Sequence, residues 1–126
     1  MSSLIDSNIM IDCLKGQADS IALLQSRATQ DAYLYASEVS RAEILAGTQE
    51  REMASIEELF LVFTWISVDE QVSRRAGALA STYRKSHRSI TLEDYMIAAT
   101  ALKLEAELLT RNVKDFPMFE GLESPY

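Results

Sequence analysis

Three acidic side chains, Asp6, Glu43 and Asp94, sit where a carboxylate is hard to account for as ordinary solvated surface. Asp6 follows the apolar pair Leu4-Ile5 and opens the polar run Asp6-Ser7-Asn8, so it marks the end of a short buried strand. Glu43 falls on a helical stretch flanked by Val39, Ala46 and Gly47. Small neighbours of that kind let a backbone or a ligand approach a carboxylate closely. Asp94 continues a stripe with Ile97, Ala98 and Ala101, and an unpaired charge on a buried face is costly unless it binds a cation or is hydrogen-bonded. Carboxylates gathered at one place raise one another's pKa. A hard divalent cation resolves that repulsion. Mg²⁺ or Mn²⁺ takes carboxylate and water oxygens and activates water for attack on a phosphodiester.

Each acid also has a plain reading. Asp6 suits the cap of the helix that follows it. Ser40-Arg41-Ala42-Glu43 has the form of a capping box, and Thr91-Leu92-Glu93-Asp94 has a related form. Periodicity does not separate Asp94 from Glu93, which lines up with Met96, Ile97 and Thr100.

Other chemistries are poorly served. With one cysteine (Cys13) and one histidine (His87), the chain cannot assemble a thiolate or imidazole zinc site by itself. Nothing around His87 resembles a nucleophile elbow; it lies among Arg84, Lys85 and Arg88 as a solvated basic turn. Cys13 reads as a small packing residue in a reducing compartment. No apolar run approaches the roughly 20 residues of a membrane span, and no basic-then-apolar leader opens the sequence. The expectation is a cytoplasmic protein. The net charge of −7 counts against a general nucleic-acid binder. Between Gln71 and Leu92, however, there is no acid, while Arg74, Arg75, Arg84, Lys85 and Arg88 all fall there. That strip suits a phosphate chain at one place, and equally a solvated helix face.

The elements that must position the acids alternate. Residues 4–5, 32–36, 65–68 and 107–110 read as strands by apolar, β-branched or aromatic content. Helices are expected over 9–14, 20–27, 37–49, 53–63, 70–85 and 91–106, with a further short edge strand after Gly121. In the 70–85 helix, Val72, Ala76, Leu79, Ala80 and Tyr83 share one face; the middle of the 91–106 helix is apolar all round and should be enclosed. Alternation of this kind predicts one α/β domain over residues 1–126, with a parallel sheet between helical layers joined by right-handed crossovers. Such sheets place their sites beyond the carboxyl ends of the strands. Asp6 and Asp115, after the first and last strands, are both there.

Four segments also resemble a known family. LIDSNIMID, ASEVSRAEILAG, LEDYMIAATAL and LLTRNVKDF are similar, in order and spacing, to the four motifs of PIN domains, and in size to the VapC-like toxins of bacterial toxin–antitoxin pairs. The resemblance implies a three-layer α/β/α sandwich and Mg²⁺- or Mn²⁺-dependent RNA cleavage. It assigns the catalytic and metal-binding acids to Asp6, Glu43, Asp94 (rather than Glu93) and Asp115. Asn8, Thr110 and Asn112 would support them or hold water; Arg74, Arg84, Lys85 and Arg88 would grip the RNA backbone. It further implies a homodimer and inhibition by a small antitoxin. The fourth motif departs from the common pattern, because Asn112 stands where many PIN domains have an acid. Two other readings remain open: a catalytically silent PIN-like module that docks RNA or protein, and an acidic regulatory domain phosphorylated at Asp6 or Asp94. The latter lacks a suitably placed lysine. The crowding of Met53, Leu59, Phe60, Leu61, Val62, Phe63 and Trp65 also predicts that some apolar side chains stay exposed for a partner.

Overall fold

The computed structural model describes every residue from Met1 to Tyr126. Four strands, β1 (Ser2–Ile5), β2 (Tyr33–Ser37), β3 (Thr64–Ile66) and β4 (Glu107–Leu109), form one sheet in the order β3-β2-β1-β4. Every neighbouring pair is parallel. Six helices surround it: α1 (Ser7–Leu14), α2 (Ala18–Gln30), α3 (Glu38–Ala46), α4 (Met53–Phe60), α5 (Glu70–Tyr83) and α6 (Leu92–Leu104). None is long and apolar enough to cross a membrane.

Alternation along the strands sorts side chains to two faces. Ile5, Leu34, Ala36 and Leu109 join Ile9, Met10, Leu24, Ile44, Ile56 and Phe60 in the core on one side. Leu4 and Leu108 face Ile97, Ala98 and Ala101 on the other. The register, Leu4 opposite Leu108 and Ile5 opposite Leu109, keeps the two sets in step. A one-residue slip would reverse every side chain of β1. The result is the expected three-layer sandwich. Val72, Ala76 and Ala80 of α5 are buried against Tyr95 and Ala99 of α6, and residues 97–101 are all buried. That matches the two helical faces read from the sequence.

Several boundaries differ for local reasons. Helix α1 starts at Ser7 because Asp6 caps it. Helix α3 starts at Glu38, capped by Ser37, whose Oγ accepts from the Val39 N–H at 3.1 Å. Ser40 therefore lies inside the helix, buried, and the capping box expected over Ser40–Glu43 does not form. The helix stops at Gly47, and a 3₁₀ turn over Glu50–Glu52 leads into α4. The edge strand expected after Gly121 is absent. There Tyr126 packs against the core, and its hydroxyl donates to Asp12 Oδ2 at 2.6 Å. Of the crowded apolar group, Phe60 and Phe63 are buried, while Leu61 is 86% exposed and Met53 and Val62 are also exposed. Cys13 packs against the core as a free thiol.

Candidate active site

The carboxyl ends of β1 and β4 form the foundation. Pairing of Ile5 with Leu109 sets Asp6 beside Thr110, and the Asp6 N–H extends the ladder to the Leu109 carbonyl at 3.0 Å. Asp6 is 5% exposed. Its Oδ1 accepts from the Ser7 N–H at 2.8 Å; its Oδ2 accepts from Thr110 Oγ1 at 2.8 Å and Asn8 Nδ2 at 3.2 Å. Thr110 Oγ1 in turn accepts from Asn8 Nδ2 (3.1 Å) and the Asn112 N–H (3.0 Å), which fills a hydroxyl's bonding capacity. Asn8 Oδ1 takes the Arg111 N–H at 3.2 Å. Asp6 is thus both a helix cap and the centre of a network spanning the two strand ends.

Two helices bring the next acids. The Ser37 cap leaves Glu43 free of backbone duty, and its Oε1 accepts from Ser7 Oγ at 3.4 Å on the open rim of the cluster. Thr91 and Asp94 do form a capping box: Thr91 Oγ1 accepts from the Asp94 N–H at 3.2 Å, and Asp94 Oδ2 accepts from the Thr91 N–H at 3.1 Å. The box fixes which acid turns inward. Asp94 is partly buried, whereas Glu93 is exposed. Asp115 ends the 3₁₀ turn Val113–Asp115 that follows β4.

Electrostatics ties the acids together. Burial pushes the Asp6 carboxyl above its usual range; the bonds from Thr110 and Ser7 oppose this, and the charges of Asp94 and Asp115 add to it. Glu43 is raised by desolvation, then by Asp6 and Asp94. Asp94 is raised by desolvation against its bonds to Thr91, with Asp115 and Glu93 adding. None of the chain's ion pairs involves Asp6, Glu43, Asp94 or Asp115. The four therefore concentrate negative charge without a protein cation to balance it. They do not form a closed ligand shell, since no group of three or more acids, histidines or cysteines stands ready to hold an ion. The donor set consists of carboxylate oxygens with amide and hydroxyl support, which suits a hard cation.

Residues 3–119 match the PIN domain family. The chain is a PIN domain. It is 45% identical over 123 residues to Ribonuclease VapC19 of Mycobacterium tuberculosis, covering 98% of each chain. It is 40% identical over 123 residues to Ribonuclease VapC10 of the same organism, covering 98% of this chain and 92% of that one. Among solved structures, a toxin–antitoxin complex from Klebsiella pneumoniae superposes with a TM-score of 0.81 at 28% identity over 98% of each chain. This PIN domain thus belongs to the VapC family.

The remaining candidates of this PIN domain divide. Asn8 and Thr110 hold Asp6 directly. Asn112 lends the network its backbone N–H and is itself exposed, while the charge of Asp115 is felt at both Asp6 and Asp94. Arg84, Lys85 and Arg88 are exposed where α5 gives way to α6, and the Arg84 charge is felt at Tyr95, next to Asp94. Arg74 is not with them. It pairs with Glu70 at 2.9 Å and, with Arg75, shares a depression with Lys103 and Glu105 at the far end of α6. Ser7 was missed as a partner of Glu43, although it stands inside the Asp6-Ser7-Asn8 run. Also missed was the tie in which Arg111 stacks 4.6 Å from the Tyr126 ring and pairs with Asp12 at 3.3 Å. Contacts between residues so distant in sequence leave no local signal.

Proposed function

We infer that this PIN domain is a metal-dependent ribonuclease that hydrolyses RNA phosphodiester bonds in the cytoplasm, as the toxin of a toxin–antitoxin pair. The observation that carries the reading is a buried carboxylate, Asp6, influenced by two further acids and paired with no lysine or arginine. Desolvated like charges are costly unless something cationic joins them. Asp6, Glu43, Asp94 and Asp115 are the residues that would hold Mg²⁺, or Mn²⁺ in its place. Bound there, the ion supplies Lewis-acid stabilisation of the phosphate and a more acidic water.

The protein's own part is orientation and proton handling. Ser7, Asn8 and Thr110 lock both oxygens of Asp6, so that carboxylate is presented in one rotamer. The Thr91 box fixes Asp94 through Oδ2 and leaves Oδ1 unengaged. Glu43 Oε2 is likewise unengaged, which leaves it open to accept the proton that an attacking water gives up. Arg84, Lys85 and Arg88, with no ion-pair partner of their own, are suited to the phosphates on either side of the cut.

The relatives' names support the ribonuclease reading, and the Klebsiella complex supports a small antitoxin partner. An apolar cleft of about 330 Å³ lined by Cys13, Ile21, Leu24, Ala28, Leu59 and Val62 offers such a partner a surface. Exposed Leu61 and Val62 beside it favour a homodimer or an antitoxin contact over solvent. The deciding experiment is cleavage of a labelled single-stranded RNA by the purified chain with Mg²⁺, with Mn²⁺ and with EDTA. Metal-dependent cleavage lost in Asp6→Asn supports the reading. Equal cleavage by wild type and Asp6→Asn, or none in either metal, overturns it.

A further inference from the structure

Of the concave spaces on the chain, one shares a wall with the acidic cluster. A cavity of about 200 Å³ lies between α1, α3 and α4, and Glu43 lines it together with Ile11, Lys15, Ile44, Thr48 and Ile56. The other clefts include none of the four acids. We propose that this cavity receives a single base of an RNA strand, next to the phosphodiester held at the acidic cluster. The proposal rests on the ribonuclease reading and names the substrate feature that the same site selects.

Three observations carry it. The first is continuity: a base is tethered to its phosphate, so a strand at the cluster must lodge its nearest bases close by, and Glu43 belongs to both places. The second is chemistry. Single-stranded RNA is read by splaying bases out, with apolar or aromatic walls against their faces and polar groups at their edges. Ile11 and Leu14 supply the accessible apolar wall, over the buried Ile44 and Ile56; the Lys15 ammonium supplies donors, and Glu52 adds a carboxylate that accepts from a base edge. Thr48 Oγ1 already donates to the Ile44 carbonyl at 2.7 Å, so it presents lone pairs to a ligand. The third is size. A space of about 200 Å³ suits one planar ring system, whereas the open clefts of about 400 and 330 Å³ around Cys13 and Leu59 suit a length of protein chain.

Gly47 provides the test. It also lines the cavity, its backbone (φ −100, ψ 7) admits any L-residue, and a Cβ built there meets only the Ile44 carbonyl at 4.0 Å. A leucine at this position would grow into the space. Wild type, Gly47→Leu and, in case the first variant folds poorly, Thr48→Val are incubated with a randomised single-stranded RNA pool and Mg²⁺ or Mn²⁺, and the cut ends are sequenced. Wild type is expected to favour particular bases at one position beside the cut by about tenfold, as one shaped pocket allows. Gly47→Leu should flatten that position to within about twofold and leave preferences elsewhere in place; Thr48→Val should change which base is favoured there. An identical profile in wild type and the folded variants overturns the proposal, and is the result expected if the cavity serves an antitoxin side chain. Cutting by wild type with no preference beside the cut also overturns it, while leaving the ribonuclease reading intact. No cutting by any of the three removes both.

Discussion

Thr110 Oγ1 lies 2.8 Å from Asp6 Oδ2, so the residues that end two adjacent parallel strands share one hydrogen bond. The bond does more than join strands. Both of its remaining acceptor sites are filled, by Asn8 and by the Asn112 N–H, so the hydroxyl proton has one place to go. A buried carboxylate is held in one orientation by a side chain that cannot turn away.

Removing that hydroxyl should therefore be felt in stability. Thr110→Val keeps shape but leaves a buried carboxylate short of a donor, which costs about 1–3 kcal/mol. Thr110→Ser should restore most of it. Urea denaturation of the three proteins checks this; equal stability in the valine variant would show that Asn8 and Ser7 suffice.

Asp94→Asn separates chemistry from folding. An asparagine keeps an oxygen for the Thr91 N–H and removes one of the charges that raise Asp6 and Glu43. Cleavage should fall by at least about a hundredfold, with a melting temperature equal to or above that of wild type. A variant unfolded at room temperature would return Asp94 to the role of a plain cap.

The pH dependence follows from the same crowding. Asp6, Glu43 and Asp94 all lie above their ordinary values of 3.8, 4.5 and 3.8. A carboxyl whose folded pKa is raised holds its proton more tightly folded than unfolded. Its contribution to stability is full below the ordinary value and is lost as pH rises through the folded one. Asp12 and Asp69 are lowered and act oppositely, gaining stability as pH rises through the acid range. The metal-free protein should then lose stability from a lower pH near the ordinary carboxylate values to an upper, neutral pH, as the raised groups ionise. Added Mg²⁺ should raise the melting temperature more at the upper pH than at the lower. A Mg²⁺ shift of the same size at both values would detach the ion from these acids.

The basic residues make a separable prediction. Each phosphate contact with single-stranded RNA contributes about 0.7 to the slope of log affinity against log salt. The double variant Arg84→Ala, Lys85→Ala should lower the slope by roughly 0.7 to 1.4, while Arg74→Ala should leave it unchanged because Arg74 stands at the far end of α6 beside Glu70. Filter binding across a salt series, using the Asp94→Asn background to prevent cutting, distinguishes them. Equal slopes for the double variant and its parent would return the cluster to a solvated surface.

Much of this was legible in the chain. Strand–helix alternation and the faces of α5 and α6 came from periodicity that the core obeys. Asp6 was legible because a strand end followed by Asp-Ser-Asn is a local pattern. Asp94 was separable from Glu93 only by resemblance, because the decision depends on a capping box that both residues fit on paper. The Ser40 box failed for the converse reason: Ser37 caps the helix three residues earlier, and tertiary burial of Ser40 follows from that. The tail was misread because Leu122 to Tyr126 lacks any period, and its fate is set by Asp12 and Arg111, far away in sequence. The basic strip was legible as composition but not as a surface, since a helix of 14 residues carries its two ends well apart.

The strand order has a consequence for how the protein comes into being. β1 is synthesised first but lies inside the sheet, and its second neighbour, β4, is the last strand made. During vectorial synthesis one edge of β1 stays open until Leu109 has emerged. Asp6 then still lacks Thr110, and Asp115 has not yet been added to the chain. A growing chain holds the first acid without the residues that orient it until β4 and the turn after it have been made. If Asp6 needs that support to act, hydrolysis waits until Thr110 and Asp115 have been made and have folded against it.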